Sequence, residues 1–376
     1  MLNSIVYLQD QHPNLTETFV SAEISELGRR SFPVAVVTKQ INEQYLQNID
    51  YNDRLVEVPR SGDEQTDIQN LIETVKQLQP AYIHSHFVTE CNGIGFPVAK
   101  ALGIPFGFTV HAYDIWLRGA RVEPETLNAL GNHPLCVTAA SEGTKHKQYL
   151  LACGIPEHKL ILTPNSVDQK RLPSERKAPP REIKRLVAVG RPVPKKGFFV
   201  AIDAVRLLRL QGYDVTLEII GGADPGKPLG PVVAQYASHF PFVTACPMVS
   251  NKEAIEKIRS ADALLMPSII AENGDSDGIP TVMAEAMLMG VPVIATDVGS
   301  ITDLIIHEQT GFISRSGDPA SLAEQLLKLD TLLKDQTQAV AFLERAFKHV
   351  SGQQEIQASV NVLEHHLTEQ IPGLRR

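Results

Sequence analysis

Four cysteines in 376 residues, none in a CxxC pair, are too few for a disulfide framework. Cys91, Cys136, Cys153 and Cys246 are therefore expected as thiols in a reducing compartment. No stretch approaches the ~20 consecutive apolar residues that span a bilayer. The opening Met1–Asp10 lacks a basic flank, and its apolar run is too short for a signal peptide or anchor. Positive charge is not in excess either: 35 Lys and Arg against 43 Asp and Glu give a formal net charge of -8. That balance argues against a general nucleic-acid binder. No glycine-rich dinucleotide fingerprint follows the first apolar run, which arrives at Gln9-Asp10-Gln11-His12-Pro13, and this argues against NAD or FAD chemistry. The expectation is a cytoplasmic protein with no membrane span.

What is present is core-forming material: 43% of the residues are hydrophobic, enough in a chain of this length for two domains. Short apolar runs alternate with helical-period stretches. In the first half, strands are predicted at Ser4–Leu8, Val34–Thr38, Leu55–Val58, Tyr82–Ser85, Phe106–Val110, Cys136–Ala139 and Leu160–Leu162. Helices are predicted at Thr18–Arg29, Thr66–Leu78, Cys91–Leu102 and Gly143–Cys153. The stretch KRLPSERKAPPREIKR, rich in proline and charge, breaks the pattern and reads as a linker. The alternation then restarts. Strands are predicted at Leu186–Val189, Val215–Ile220, Ala263–Met266 and Val291–Thr296, and helices at Gly197–Leu210, Lys252–Ser260, Thr281–Met289 and Ala320–Lys328. This order predicts an α/β protein of two Rossmann-like, doubly wound domains whose strand-end rims face across a cleft. The predicted boundaries are 1–168, an N-terminal Rossmann-like domain; 169–185, the linker; 186–350, a C-terminal Rossmann-like domain; and 351–376, a helical segment able to pack back on the first domain.

Three motifs lead nowhere on closer reading. Gly221 to Pro228 follows the Walker A pattern until Pro228 stands where a Ser or Thr would ligate magnesium, so it reads as a glycine-rich turn. Asp275-Ser276-Asp277 is a DxD, but two loop carboxylates are ordinarily just solvated. His84 and His86, two apart, lack the further ligands of a zinc site, Cys91 being the one obvious neighbour, and read as strand-end or rim residues.

Two stretches carry more. After the strand ending at Gly190, Arg191 and Lys196 flank a loop that leads into a helix with an apolar face of Phe198, Phe199, Ile202, Val205 and Leu208. A helix start already favours anions, and a guanidinium with an ammonium there could clamp a diphosphate; two solvated surface cations would look the same. Further on, Pro280 suits a helix start and Gly290 its end, and the helix between is apolar apart from Glu285. A carboxylate in such a helix needs partners. Two ribose hydroxyls would serve, as would neighbouring backbone or an arginine. Gly278 permits close approach of a ligand, and Asp277 could accept from a sugar hydroxyl or cap the helix.

These stretches resemble the retaining glycosyltransferases of family 4, which have the GT-B fold. Asp277 and Glu285 keep the family's spacing of two acidic residues with seven between, and Arg191 and Lys196 match its Arg-x4-Lys diphosphate site. Asn165-Ser166-Val167-Asp168 resembles the close of the family's first domain, and Met266-Pro267-Ser268 the segment before its acidic loop. In the first half, His12 to Phe19, Tyr82 to Phe87 and His111-Ala112-Tyr113-Asp114-Ile115 resemble motifs of the polysaccharide-biosynthesis branch. Two departures bear on the donor sugar: Asp277 replaces the usual Glu, and Ser300 to Asp303 replaces a common G-x-P-E.

The resemblance implies transfer of a sugar, with retention, from a nucleotide-diphosphate sugar to a hydroxyl of a glycan, lipid-linked or small-molecule acceptor. Arg191, Lys196, His111 and Asp277 would be catalytic. Arg191, Lys196, Gly278, Ile279, Pro280, Thr281, Glu285, Thr16 and Thr18 would bind the donor. No metal and no cofactor are implied. Peripheral contact with the inner face of a membrane, through the basic linker, stands beside the reading of that linker as merely solvated. The alternatives are a GT-B epimerase or phosphorylase, or an inactive sugar-nucleotide binder.

Overall fold

The computed structural model describes residues 4–14, 17–51 and 54–374. It divides into two compact units, one formed by residues up to Val167 together with those from Glu355 onward, the other by Asp168–Gln354.

The first unit is a seven-stranded parallel sheet. Its strands are β1 (Ser4–His12), β2 (Val34–Ile41), β3 (Leu55–Glu57), β4 (Pro80–His86), β5 (Phe106–Val110), β6 (Cys136–Ser141) and β7 (Leu160–Leu162), in the order β3-β2-β1-β4-β5-β6-β7. Side chains alternate between faces. Val6, Leu8, Ile83, Phe106, Phe108 and Val110 fall in one apolar core with Leu71, Val98 and Leu127 from the covering helices. Ile5, Tyr7, Val36 and Tyr82 point the other way, into a core shared with Val20, Ile24 and Leu27 of helix Thr18–Arg29 and with Ile356, Val360 and Leu363 of helix Ile356–Gln370. Each of these aliphatic side chains is almost fully buried, which stabilises the layer by roughly 1.5–3 kcal/mol apiece. Arg30 ties the two helices together, reaching Glu364 at 2.8 Å and Glu26 at 2.9 Å.

The second unit is a six-stranded parallel sheet of β8 (Arg185–Val189), β9 (Thr216–Ile220), β10 (Val243–Cys246), β11 (Ala263–Met266), β12 (Val293–Thr296) and β13 (Phe312–Ser314), in the order β10-β9-β8-β11-β12-β13. Helix Phe198–Leu210 and helix Pro319–Lys334 cover one face, burying Ile202, Val205, Leu322 and Leu326 against Leu217, Ile219 and Leu265. In each sheet the chain order reverses beside the first strand, between β1 and β4 and between β8 and β11. In open α/β sheets ligands bind at the carboxyl ends of the strands flanking such a reversal.

The proline-rich segment 169–185 belongs to the second unit rather than forming a free tether. Lys177 donates its backbone N–H to Met289 at 2.8 Å, Ile183 is buried and donates to Asp330 at 2.9 Å, and the Lys177 ammonium lies 3.4 Å from Asp262. Much of the segment's basic charge is matched locally: Arg176 pairs with Glu344, Arg185 lies 3.9 Å from Asp262, and Arg171 acts electrostatically on Glu285. Helix Gln336–Gln353 runs past residue 350, so the chain returns to the first unit only at Glu355. The helix predicted over 91–102 is present, and its first residues, Cys91–Gly95, are wound as a π-helix that runs directly into helix Phe96–Leu102. Among the described helices, none is long and apolar enough to cross a membrane.

Candidate functional site

At the carboxyl end of β8 the chain turns through Gly190 to Gly197 and enters helix Phe198–Leu210. Gly197 has φ +60°, and a Cβ there would lie 1.8 Å from the Pro267 carbonyl oxygen, so only glycine fits this crossing beside β11. The crossing sets Lys195 and Lys196 against the loop that follows β11. Lys196 Nζ donates to both carboxylate oxygens of Asp277, at 2.9 and 3.0 Å. The Ser268 hydroxyl donates to the same carboxylate at 2.6 Å. Lys195 Nζ donates to Asp275 at 2.9 Å and to the Ser276 carbonyl at 3.3 Å, and stands 3.9 Å from Asp277. Each aspartate of the DxD thus faces a lysine, and Asp277 is 5% exposed.

The electrostatics follow from that burial. Burial lowers the Lys196 ammonium below the usual lysine value, opposed by Asp277 and reinforced by Lys195 and Arg191. Burial alone would raise Asp277, but Lys196, Lys195 and the Ser268 hydroxyl outweigh it and hold the carboxyl below its ordinary value. Arg191 is exposed, with no acidic partner among the described residues. One cation is therefore locked in place and the other is open to solvent.

After Asp277 the chain passes through buried Gly278 and Ile279 to Pro280, which caps helix Thr281–Leu288. No side chain caps this helix and its first turn holds no acidic residue, so Asp277 is not the cap. One turn in, the half-buried Glu285 carboxylate makes no hydrogen bond to described residues. Burial raises it to about 7, with Arg171 pulling the other way. The Gly221–Pro228 segment is a turn: Gly221 takes φ +83°, and the Asp224 carboxylate accepts from the Gly226 N–H at 2.9 Å.

The first unit presents a different rim. Tyr82, His84 and His86 share one face of β4, and Thr109 and His111 lie on the same face of β5 and just beyond its end. His86 Nε2 lies 3.2 Å from Glu23 Oε1, and His86 Nδ1 3.2 Å from His111 Nε2. His111 Nδ1 faces Glu142 at 3.6 Å, and Phe19 and Phe87 pack on its ring. Thr18 opens helix Thr18–Arg29 and is half-buried, while Thr16 lies outside the described residues.

Residues 16–171 match the family model described as Glycosyltransferase Family 4, and residues 183–331 the model described as Glycosyl transferases group 1. Together they take in most of the chain, in the order of its two units. The chain belongs to the family 4 glycosyltransferases. Among the relatives of this family 4 chain, the amylovoran biosynthesis glycosyltransferase AmsK of Erwinia amylovora is 32% identical over 49% of this chain and 45% of its own length. The D-inositol 3-phosphate glycosyltransferase of Jonesia denitrificans is 28% identical over 73% of this chain and 70% of its own. The matched region thus spans about half the length of the first relative. A glycosyltransferase of Rickettsia africae has the same fold, with TM-score 0.80 at 15% identity over 99% of both chains. So has the Anabaena protein Alr3699/HepE solved with UDP and glucose, with TM-score 0.76 at 15% identity over 98% of this chain and 100% of that one. The architecture is accordingly GT-B.

In this family 4 chain the fold joins Lys196 to Asp277, residues some eighty positions apart, and sets Arg191 close enough to act on Lys196. Lys195, Ser268, Glu23 and Glu142 were not predicted as site residues. The Lys195-Lys196 pair opposite the two acids of the DxD was the one available signal, because two like charges side by side need two partners. Glu23 and Glu142 had none: each meets its histidine only through the sheet.

Proposed function

We propose that the chain moves a sugar from a nucleoside-diphosphate sugar to a hydroxyl of a glycan, lipid-linked or small-molecule acceptor, with retention at the anomeric carbon and without a metal ion. The observation that carries this reading is the pairing of a locked cation, Lys196 on Asp277, with an open one, Arg191, at the strand reversal of the second unit. Arg191 and Lys196 hold the diphosphate and take up the charge it gains as the glycosidic bond breaks. Asp277 fixes the ammonium, so little reorganisation is needed during reaction. Glu285, with open carboxylate oxygens, accepts from the ribose hydroxyls. The N–H groups at the start of helix Thr281–Leu288 add to the anion site. The leaving phosphate takes the acceptor proton as the acceptor oxygen attacks from the same face, and His111 and Thr18 of the first unit serve the sugar and acceptor side. Asp275 and Asp277 are occupied by lysines, which supports the metal-free form.

Kinetics of three variants test it. Lys196→Ala and Arg191→Ala should raise the barrier by roughly 2–4 kcal/mol, seen in kcat more than in donor affinity. Glu285→Gln should weaken donor and free nucleoside diphosphate alike, with a smaller effect on saturated turnover. Unchanged kcat in both cation variants sinks the diphosphate site, and turnover lost in EDTA and restored by manganese sinks the metal-free form.

A further inference from the structure

Of the two adjacent lysines after β8, Lys195 is the more deeply buried, at 8% exposure. A lysine is rarely buried so far without a partner. Side chains one residue apart ordinarily point in different directions. Here the single turn Pro194–Lys196, ended by the left-handed Gly197, brings both ammoniums to the same two aspartates. Lys195 Nζ donates to Asp275 Oδ1 at 2.9 Å and to the Ser276 carbonyl at 3.3 Å, and lies 3.9 Å from Asp277 Oδ1. Its own carbonyl accepts from the Ile269 N–H at 2.8 Å. The segment it grips also closes on itself. The Ala271 N–H donates to the Asp275 carbonyl at 2.9 Å, the Gly274 N–H to the Ala271 carbonyl at 2.8 Å, and the Asp275 N–H to Asn273 Oδ1 at 3.1 Å. Lys195 thus ties the turn to the loop after β8, immediately before the chain reaches Asp277. The charges also balance. Lys196 spends two of its three N–H groups on Asp277, and Lys195 answers Asp275. Two ammoniums then face two carboxylates, and the exposed Arg191 is the cation in excess.

We propose that Lys195 is a positioning residue for the donor: as counter-ion of Asp275 it fixes the turn that carries Asp277 and keeps that turn neutral, so that the charge of Arg191 and Lys196 is left to the diphosphate. The proposal rests on the reading that those two cations hold a diphosphate. Lys195 directs its N–H groups to protein acceptors, so its effect on the donor passes through its neighbours. It is close enough to act on both Lys196 and Asp277. Alone it would oppose the Lys196 ammonium, as like charges do. With Asp275 facing it, the added pair carries no net charge. Without it, an uncompensated carboxylate would stand on the turn that the anionic donor has to approach. Packing alone would ask for less. An apolar side chain of the same length would fill the space and leave the partly exposed Asp275 to solvent.

Lys195→Met separates charge from packing, because it keeps the length of the side chain and removes the ammonium. Titration calorimetry of the full chain with UDP, GDP, ADP and dTDP, in EDTA, is run at low salt and at about 0.5 M NaCl. At low salt Lys195→Met should bind the diphosphate that the unaltered protein prefers about tenfold or more weakly, and the gap should narrow at high salt. Adding Asp275→Asn to Lys195→Met removes the uncompensated carboxylate and should return the affinity to within about threefold of the unaltered protein. Asp275→Asn alone keeps an acceptor for Lys195 and leaves a cation in excess. It should bind at least as tightly as the unaltered protein, and it stands in if Lys195→Met does not fold. Equal affinity in Lys195→Met, a gap that ignores salt, or a double variant as weak as the single one overturns the role of Lys195 and leaves the diphosphate site intact. Weaker binding by Asp275→Asn does the same. If the unaltered protein binds none of the four diphosphates, the diphosphate reading itself falls, and the proposal with it.

Discussion

At the rim of the first sheet, buried charge rests on histidines and glutamates, whose ordinary pKa values lie within a few units of neutrality. At the rim of the second it rests on Lys195 and Lys196, each held on an aspartate of the Asp275-Ser276-Asp277 turn. The difference matches what each rim is proposed to meet. A diphosphate bears negative charge, and a cation already held on a carboxylate answers it with little reorganisation. A hydroxyl must be oriented, and imidazoles, which can both donate and accept, suit that task. The second rim is accordingly the one that fails when one member of a pair is removed.

The largest effect should come from breaking a pair in the second unit. Asp277→Ala leaves the Lys196 ammonium buried without its carboxylate, and removing one partner of a buried pair costs about 3–5 kcal/mol. Hydrogen exchange over residues 263–296 should report faster opening there. Exchange unchanged from the unaltered protein would mean that the pair is held by packing, not by charge.

The next effect is a pH dependence in the first unit. His84 has its folded pKa depressed to about 3, so its contribution to stability is full above 6.5 and is lost as pH falls. Between pH 7 and 4.5 the loss should be about 2–3 kcal/mol relative to His84→Gln. The chain's one tryptophan, Trp116, lies in the first unit, so its fluorescence during urea unfolding reports that unit. A stability difference between the two proteins that stays constant over this range would show that His84 is charged when folded.

Glu285 gives the smallest effect, with the opposite sign. Its folded pKa is raised to about 7, so the contribution it makes at low pH is lost as pH rises through that value. It is only half-buried, so the full shift is discounted to about 1 kcal/mol. Glu285→Gln should gain that much over the unaltered protein between pH 4.5 and 8, while losing nucleotide affinity. A variant that gains nothing at pH 8 would place a bonded partner on Glu285.

The elements that the sequence foretold best are those whose local pattern and burial agree. Phe106–Val110, Ala263–Met266 and helix Thr18–Arg29 were placed to the residue. The strands at Val243–Cys246 and Phe312–Ser314 were not predicted. They are short and lie at the two edges of their sheet, where one neighbouring strand suffices and little apolar run is required. Helix was foretold over 91–102, and only its π winding at Cys91–Gly95 escaped, because CNGIG keeps ordinary helical spacing. For the site, the motif spacing named Arg191, Lys196, Asp277 and Glu285, but it could not say that Asp277 faces a lysine and Ser268. Partners eighty residues away depend on how β8 and β11 pair, and no local pattern records that.

The return of the chain at Glu355 makes the second unit an insertion within the first. Helix Ile356–Gln370 covers Ile24 and Leu27 and bonds to Arg30, yet it is made only after the whole of the second unit. On a ribosome adding ~5–20 residues per second, the first unit waits roughly 10–40 s for that helix while residues 168–354 emerge. During that time the second unit can fold entire, whereas one flank of the first sheet stays uncovered, a bare apolar surface that a chaperone could shield. The order of assembly would then run against the order of the sequence: the domain encoded second is finished first.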